Sequence, residues 1–245
     1  MSEFELVSEH IYRLELPWRL FGLMTVPVAV WLIREADSWA LVDSGPPQTA
    51  DAVISAVTRA TGGRGPARVL LTHAHYDHAG GLEALRAAWN PAILCHRLEV
   101  PFVTGETDYR RLPPRSLAFW LARFFLRRGR WALPVARDLE AGQSAAGMAV
   151  IHLPGHSPGH VGYLHPADHA MICGDAVMTL GGRLSPAPGI STPDPGLAHA
   201  SMQRLAQLDF RHLLPSHGPP ILERGRQAVL ALVSEREPGP EIAHW

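Results

Sequence analysis

The pattern of apolar and polar positions near the start of the chain predicts β-strands. Residues 11–16 alternate apolar and polar side chains with a period of two, which is typical of a half-buried strand. Residues 28–33 and 39–42 are continuous apolar runs, consistent with buried strands, and the second run ends in a turn-forming stretch at residues 43–46. Together these segments predict a β meander.

From residue 49 onwards the predicted elements alternate between helices and strands. Helices are predicted at 49–60, 81–89, 97–103, 196–208 and 223–235, and strands at 67–71, 92–95, 148–153, 160–164, 170–173 and 212–214. The order is β meander, α/β, β meander and α/β, which suggests two related halves. We expect a single domain over residues 1–245, with two sheets facing each other and helices on the outside.

Residues 109–137 do not fit this alternation, because they carry many Arg residues and no Asp or Glu. Ser116 is a suitable N-cap residue after two prolines, and Gly129 lies where a helix would end. The apolar positions that recur at helical spacing are Leu117, Trp120, Leu121, Phe124 and Phe125. We interpret the segment as an inserted amphipathic helix. We expect its apolar face either to line a hydrophobic substrate pocket as a cap or to form a homodimer contact.

Composition narrows the possible functions. The formal net charge is −1, so no overall basic field favours nucleic acid binding. The chain has no Lys, which excludes Schiff-base chemistry and a P-loop lysine. Its two Cys residues cannot form a disulfide framework or a four-Cys zinc site. The N-terminus lacks a secretion signal and no apolar stretch is long enough to cross a bilayer, so we expect a cytoplasmic protein without a transmembrane segment.

The stretch at residues 72–81, which follows the predicted strand 67–71, contains several side chains of the types that bind metal ions. Its ligand-type side chains are His73, His75, Asp77 and His78. The first two histidines, two residues apart, can converge on one metal ion if the chain is extended. The aspartate and the third histidine can then point to a second position after the turn.

Further candidate ligands follow other apolar runs, so each lies on a loop at the end of a predicted strand. They are His156 within residues 154–160, Asp175 after the strand 170–173, and His217 after the strand 212–214. Loops held by a rigid scaffold are where functional sites are built. Five His and two Asp side chains from these motifs suit two metal ions in nitrogen and oxygen coordination.

This constellation resembles the metallo-β-lactamase superfamily, whose members share a four-layer αββα sandwich of two mixed sheets. The resemblance extends from the turn at residues 42–45 to the stretch at 216–218. It implies one metal ion bound by His73, His75 and His156, a second bound by Asp77, His78 and His217, and Asp175 bridging both. It also implies supporting roles for Asp43, at the base of the site, and for His160, which follows the third motif. The implied cofactors are two divalent metal ions, Zn²⁺ first, with Fe or Mn as alternatives.

The bridging Asp175 makes the resemblance closer to glyoxalase II and lactonases than to class B β-lactamases. It implies a dinuclear metal-dependent hydrolase that cleaves an ester, lactone or thioester, in which a metal-bridging hydroxide attacks the carbonyl carbon. Asp77 is the expected catalytic residue, because its carboxylate can orient the nucleophile and take its proton. The partner is then a small-molecule substrate, acyl-bearing if residues 109–137 form a cap. The alternatives are a mononuclear iron oxidoreductase of the persulfide dioxygenase type and a β-lactam hydrolase.

The histidines outside this constellation are expected to be structural. His10 and His165 fall in predicted turns, and we interpret both as surface residues. His96 and His152 flank predicted strands and are expected to be hydrogen-bonded there.

Overall fold

The protein is described by a computed structural model that covers residues 3–20, 24–123 and 132–235. Within these ranges the strands are β1 (Glu5–Leu6), β2 (Ile11–Leu20), β3 (Met24–Arg34), β4 (Trp39–Val42), β5 (Arg68–Leu70), β6 (Ala92–His96), β7 (Arg137–Leu139), β8 (Ser144–Ala145), β9 (Met148–His152), β10 (Val161–His165), β11 (Ala170–Gly174), β12 (Val177–Met178), β13 (Ser185–Pro186) and β14 (His212–Pro215). The helices are α1 (Ala50–Thr61), α2 (Tyr76–Ala79), α3 (Leu82–Trp89), α4 (Val100–Val103), α5 (Leu117–Ala122), α6 (Pro195–Gln207) and α7 (Gly225–Ser234).

The strands form two main sheets, and both are mixed. The first sheet has seven strands in the order β1 to β7, antiparallel from β1 to β4 and parallel from β4 to β7. The second has five strands in the order β14-β11-β10-β9-β8, with only the β14–β11 pair parallel. A short ribbon of β12 and β13 accompanies them. Two mixed sheets are what the sequence predicted.

Three apolar layers show how the sheets and helices stack. The layer between the sheets holds fully buried side chains from both, such as Trp31 of β3 and Tyr163 of β10. A second layer packs α1 and α3 on the outer face of the first sheet, with Val57 and Leu85 in its centre. A third packs α6 and α7 on the outer face of the second sheet, around Leu205. This order of helices, sheet, sheet and helices confirms the predicted αββα sandwich.

Two hydrogen bonds fix the two sheets to each other beside the loop that follows β5. The Tyr163 hydroxyl, on the second sheet, donates to the Leu71 carbonyl at 2.7 Å. The Val161 amide at the start of β10 donates to the Thr72 carbonyl at 2.9 Å. The start of β10 and the end of β5 therefore lie at one edge of the sandwich, where the loops after β4, β9, β11 and β14 also emerge.

The predicted elements agree with the observed ones to within a few residues at most boundaries. The predicted helix 97–103 is an exception, because α4 begins only at Val100. The short strands β1, β7, β8, β12 and β13 were not predicted, since two or three residues carry too little periodicity to be recognised. Among the described residues, no helix is long and apolar enough to cross a membrane.

Residues 109–137 are fixed to the core near both ends, by Tyr109 and by Leu133. Tyr109 and Leu133 are buried among the residues under α1 and α3, and Arg137 opens β7. The predicted cap is present, since the Ser116 hydroxyl accepts a hydrogen bond from the Phe119 amide at 3.0 Å. The predicted end of the helix at Gly129 lies outside the described residues.

The structure contradicts the interpretation of His165 as a surface residue. Its side chain is buried beside Asp168, in the turn between β10 and β11. The Asp168 carboxylate also accepts hydrogen bonds from His10 Nδ1 (2.7 Å), from the His10 amide (2.9 Å) and from the Ser8 hydroxyl. This turn lies at the far end of β10 from Val161, so the cluster ties the two sheets together at the opposite edge of the sandwich.

Candidate metal centre

The loop after β5 brings several ligand-type side chains to one place. β5 ends at Leu70, and the backbone is extended at His75 (φ −65°, ψ 158°) before α2 begins. His73 and His75 therefore leave the loop two residues apart, whereas Asp77 and His78 leave from the single turn of α2. The local backbone thus separates two pairs of candidate ligands.

Gly80 and Gly81 allow α2 to lie against the turn after β4. A Cβ atom on Gly80 would lie 2.3 Å from Pro47 Cδ, and one on Gly81 would lie 2.4 Å from the Ser44 carbonyl oxygen. A side chain at either position would push α2 outward, together with the ligand-type residues that it carries.

The first group, here called the three-histidine set, consists of His73, His75 and His156. His73 Nε2 and His156 Nε2 each lie 2.9 Å from His75 Nδ1. A ring nitrogen carries either one proton or one lone pair, so His75 Nδ1 cannot satisfy both neighbours by ordinary hydrogen bonds. Three converging lone pairs on a cation remove this conflict.

The second group, here called the Asp-His-His set, consists of Asp77, His78 and His217. His217 Nε2 lies 3.3 Å and His78 Nε2 lies 3.5 Å from Asp77 Oδ2. All three residues are buried, and their ligand atoms lie within 4.8 Å of one another.

Asp175, directly after β11, lies between the two sets. Its Oδ1 is 3.3 Å from His78 Nε2, and its Oδ2 is 3.3 Å from both His156 Nε2 and His217 Nε2. One carboxylate therefore reaches ligand atoms of the three-histidine set and of the Asp-His-His set.

The charge distribution differs between the two sets. Burial, reinforced by His78 and the neighbouring histidines, lowers the pKa of His73 and of His75 well below the usual range, so both rings are neutral lone-pair donors. Burial also opposes protonation of His217, but the carboxylates of Asp175 and Asp77 outweigh it and raise its pKa to about 10. His73 and His75 can thus bind a cation without losing a proton, whereas His217 must release one to bind a metal ion.

The carboxylates in the centre are held in their ionised form. Burial alone would raise the pKa of Asp175, but His217 and His78 hold it well below its usual range. His78 likewise overcomes the burial effect at Asp77 and lowers its pKa. Both side chains are therefore acceptor-only groups, as metal ligands must be.

Two observations test whether metal ions fit this cluster. His78 Nε2 and Asp175 Oδ1 are buried and have no hydrogen-bond partner among the described residues, although such orphaned atoms are rare in folded proteins. The donor set consists only of imidazole nitrogens and carboxylate oxygens, which are the ligands of Zn²⁺ and related divalent ions. The residues present therefore fit divalent metal ions.

Asp43 and His160 each contact one of the candidate ligand residues. Asp43 Oδ2 accepts a hydrogen bond from His78 Nδ1 at 2.8 Å. His160 Nε2 accepts one from the Asp175 amide at 2.9 Å. Burial lowers the pKa of His160 to about 3, so its ring is neutral and can accept that bond.

Two buried residues beside the three-histidine set were not predicted from the sequence. Glu99 is fully buried, and Tyr109 packs its ring edge-on against His75 at 4.2 Å between centroids. The Tyr109 hydroxyl donates to the Glu99 carboxylate. The sequence feature that could have identified Glu99 is an acidic residue inside the apolar stretch 98–103.

The predicted apolar substrate residues divide between exposed and undescribed positions. Leu117, Trp120 and Leu121 are 71%, 44% and 56% exposed, whereas Phe119 anchors α5 by being fully buried. Phe124 and Phe125 lie outside the described residues. The segment contacts the loop after β13, because the Arg115 amide donates to the Pro193 carbonyl at 2.9 Å.

The loop after β13 connects α5 with the metal centre. Thr192 Oγ1 lies 3.5 Å from His156 Nδ1, on the side of the ring away from the ligand nitrogen. The exposed apolar side chains of α5 are therefore attached to the same loop that contacts a member of the three-histidine set.

Comparisons with known proteins agree with this geometry. The chain is 28% identical over 235 residues to the probable metallo-hydrolase YflN of Bacillus subtilis, covering 87% of this chain and 89% of that protein. It is 35% identical over 201 residues to a hydroxyacylglutathione hydrolase of Acidiphilium cryptum, covering 80% of this chain and 68% of that enzyme. The crystal structure of TTHA1623 in a di-iron-bound form superposes with a TM-score of 0.63 at 30% identity, covering 86% of this chain and 96% of that one. The family model described as the metallo-beta-lactamase superfamily matches residues 23–217, and the chain belongs to that superfamily.

Proposed function

We propose that this metal-dependent hydrolase is dinuclear and cleaves an ester, lactone or thioester. The observation that carries the proposal is the position of Asp175, whose carboxylate lies 3.3 Å from ligand atoms of both sets. A single carboxylate in that position suits two neighbouring ions better than one. The di-iron form of TTHA1623, at 30% identity, supports two ions and keeps iron beside zinc as the metal. The hydroxyacylglutathione hydrolase relative, at 35% identity, supports a thioester among the substrates.

We assign two roles to the residues of the centre, which are metal binding and proton transfer. When bound, two divalent ions supply a water molecule whose pKa falls to about 7 and a Lewis acid for the substrate carbonyl. The three-histidine set would hold one ion, and the Asp-His-His set would hold the other. Asp77 is buried and ionised, and its Oδ2 faces His217, which places it to orient the attacking water and accept its proton.

The exposed face of α5 is the proposed contact for the remote part of the substrate. Leu117, Trp120 and Leu121 are exposed apolar side chains on a helix attached to the loop that contacts His156. An acyl chain lying over them would remove their surface from water. We therefore propose that acyl-bearing substrates are preferred over small polar ones.

The experiment is elemental analysis of the purified protein together with a panel of ester, lactone, thioester and β-lactam substrates. We expect two ions per chain and turnover of at least one ester, lactone or thioester. Asp175→Ala should lower the occupancy of both sites together, because it removes the shared carboxylate. One ion per chain at saturating metal supply would refute the dinuclear centre, and one iron without hydrolysis would point to the oxidoreductase alternative.

A further inference from the structure

The Glu99 carboxylate joins two loops that are far apart in the sequence. Its Oε2 accepts a hydrogen bond from the Ala74 amide at 2.9 Å and another from the Tyr109 hydroxyl. Its Oε1 accepts bonds from the Ser157 hydroxyl at 2.7 Å and from the Gly159 amide at 2.8 Å. Because the side chain is fully buried, water does not compete for any of these bonds.

The residues that Glu99 contacts flank the ligands of one metal site only. Ala74 lies between His73 and His75, and Ser157 directly follows His156. The Asp-His-His set has other supports, since Asp43 holds His78 and the Pro27 carbonyl holds His217 Nδ1 at 2.9 Å. The distance between the two loops of the three-histidine set is thus controlled by a group that does not contact the other set.

Tyr109 strengthens the link between Glu99 and the first of these loops. Its hydroxyl accepts a second bond from the Ala74 amide at 2.9 Å while donating to Glu99. Its ring lies between Phe102, stacked at 4.2 Å, and His75, edge-on at 4.2 Å. Glu99 and Tyr109 therefore hold both the backbone and one ligand ring of this loop.

Gly159 shows how closely the second loop approaches Glu99. A Cβ atom on Gly159 would lie 2.8 Å from Glu99 Cγ and 2.9 Å from the Glu99 amide nitrogen. The loop after β9 can make its bond to Glu99 only because this position has no side chain.

We propose that Glu99 is a positioning residue that fixes the spacing of the His73–His75 loop and the His156 loop, and so sets the metal affinity of the three-histidine set separately from that of the Asp-His-His set. The inference rests on the proposed dinuclear function. Glu99 itself does not contact a ligand atom among its hydrogen bonds, so it acts through the two loops.

Glu99→Gln is the informative substitution because it preserves the size of the side chain. An amide has one acceptor oxygen, and its NH₂ group can only donate. Whichever way the amide turns, the loop that faces the NH₂ group loses its acceptor on this side chain. We expect the affinity of the three-histidine set for Zn²⁺ to fall roughly 10- to 100-fold, as for other residues that hold metal ligands in place.

The measurement is a Zn²⁺ titration of the metal-free protein against a chelator of known affinity, which yields two binding constants. His156→Ala and His217→Ala assign the constants, because each variant removes a ligand from one set only. Circular dichroism of each metal-free variant verifies that it is folded. Glu35→Gln is the matched control, since Glu35 lies in the turn between β3 and β4, accepts a bond from Ser38 and does not touch the metal centre. It should change neither constant.

Selective loss of the three-histidine constant, with the other constant within about threefold of wild type, supports the proposal. An equal loss of affinity at both sites overturns the proposal, because it would show that Glu99 supports the fold in general. No loss of affinity at either site overturns it as well. If Glu99→Gln does not fold, Ser157→Ala removes one bond to Oε1 and should weaken the same constant roughly two- to tenfold. If the wild type binds one ion only, the dinuclear function fails, and Glu99 is then judged on the three-histidine constant alone.

Discussion

Asp43→Asn should weaken metal binding to the Asp-His-His set without disturbing the backbone. Asp43 is fully buried, and its Oδ1 accepts a bond from the Thr72 amide at 2.8 Å. Its Oδ2 accepts bonds from the Thr72 hydroxyl and from His78 Nδ1, both at 2.8 Å. Asp43 has a φ of +61°, a left-handed conformation that Asn tolerates about as well as Asp. The substitution therefore changes one acceptor atom into a donor.

The magnitude follows from the tautomer of His78. If the amide oxygen keeps the bond from the Thr72 amide, the new NH₂ group faces His78 Nδ1, which must then present a lone pair. The proton moves to His78 Nε2, the atom that faces Asp77 and Asp175, and a protonated nitrogen cannot bind a metal ion. The opposite amide orientation is disfavoured because the Thr72 amide cannot turn away. We expect a 10- to 100-fold lower affinity, or about 1.4–2.8 kcal/mol.

The assay is the Zn²⁺ titration of metal-free protein, with Asp168→Asn as its control. Asp168 forms a similar carboxylate–histidine pair with His10 at the opposite edge of the sandwich. The control should lower the free energy of unfolding by roughly 1–3 kcal/mol and leave both metal affinities unchanged. If Asp43→Asn binds two ions with wild-type affinity, the tautomer argument is wrong.

Three further predictions test other parts of the structure. Asp77→Asn should keep the fold but reduce kcat for a good substrate roughly 10²- to 10⁴-fold, and a wild-type rate would exclude Asp77 as the proton acceptor. Burial opposes ionisation of Asp168, but the hydrogen bonds from Ser8 and His10 lower its pKa. The ionised carboxylate therefore stabilises the folded protein above about pH 4, and this contribution is lost on further acidification. Urea unfolding across pH should show a smaller acid-induced loss in Asp168→Asn than in wild type. Replacing Trp120 and Phe124 with Ala should raise KM for long-chain substrates roughly tenfold at constant metal content; dissociation of an oligomer with unchanged chain preference would indicate an interface instead.

The candidate ligand residues could be identified from the sequence because they lie in short motifs at the ends of predicted strands. His73 to His78 form one short motif, and His156, Asp175 and His217 each follow an apolar run that predicts a strand. Loops at one edge of a sandwich converge, so ligand-type residues on such loops meet even when they are more than 100 positions apart in the chain. An error of a few residues in a predicted strand boundary does not change the edge of the sheet at which the following loop lies.

Glu99 could not be predicted in the same way because its role depends on contacts that no local pattern encodes. Its partners Ala74, Tyr109, Ser157 and Gly159 lie in separate parts of the chain, and three of the four bonds use backbone amides or a small hydroxyl. The prediction that His165 is a surface residue was wrong for a similar reason. A turn position predicts exposure, but the turn between β10 and β11 is covered by the N-terminal residues that bind Asp168.

Each proposed metal site takes ligands from both sheets, and this has a physical consequence for the enzyme. In the three-histidine set His73 and His75 follow β5 of the first sheet, whereas His156 follows β9 of the second. The Asp-His-His set has the same division, with His217 following β14. A displacement of one sheet against the other would therefore separate the ligands of both sites at once. The close-packed layer around Trp31 and Tyr163 resists such sliding, because packed interiors deform little, and the bond from Tyr163 to the Leu71 carbonyl fixes the register beside the ligands. The geometry of the metal centre is thus a property of the interface between the sheets as much as of the loops that carry the ligands.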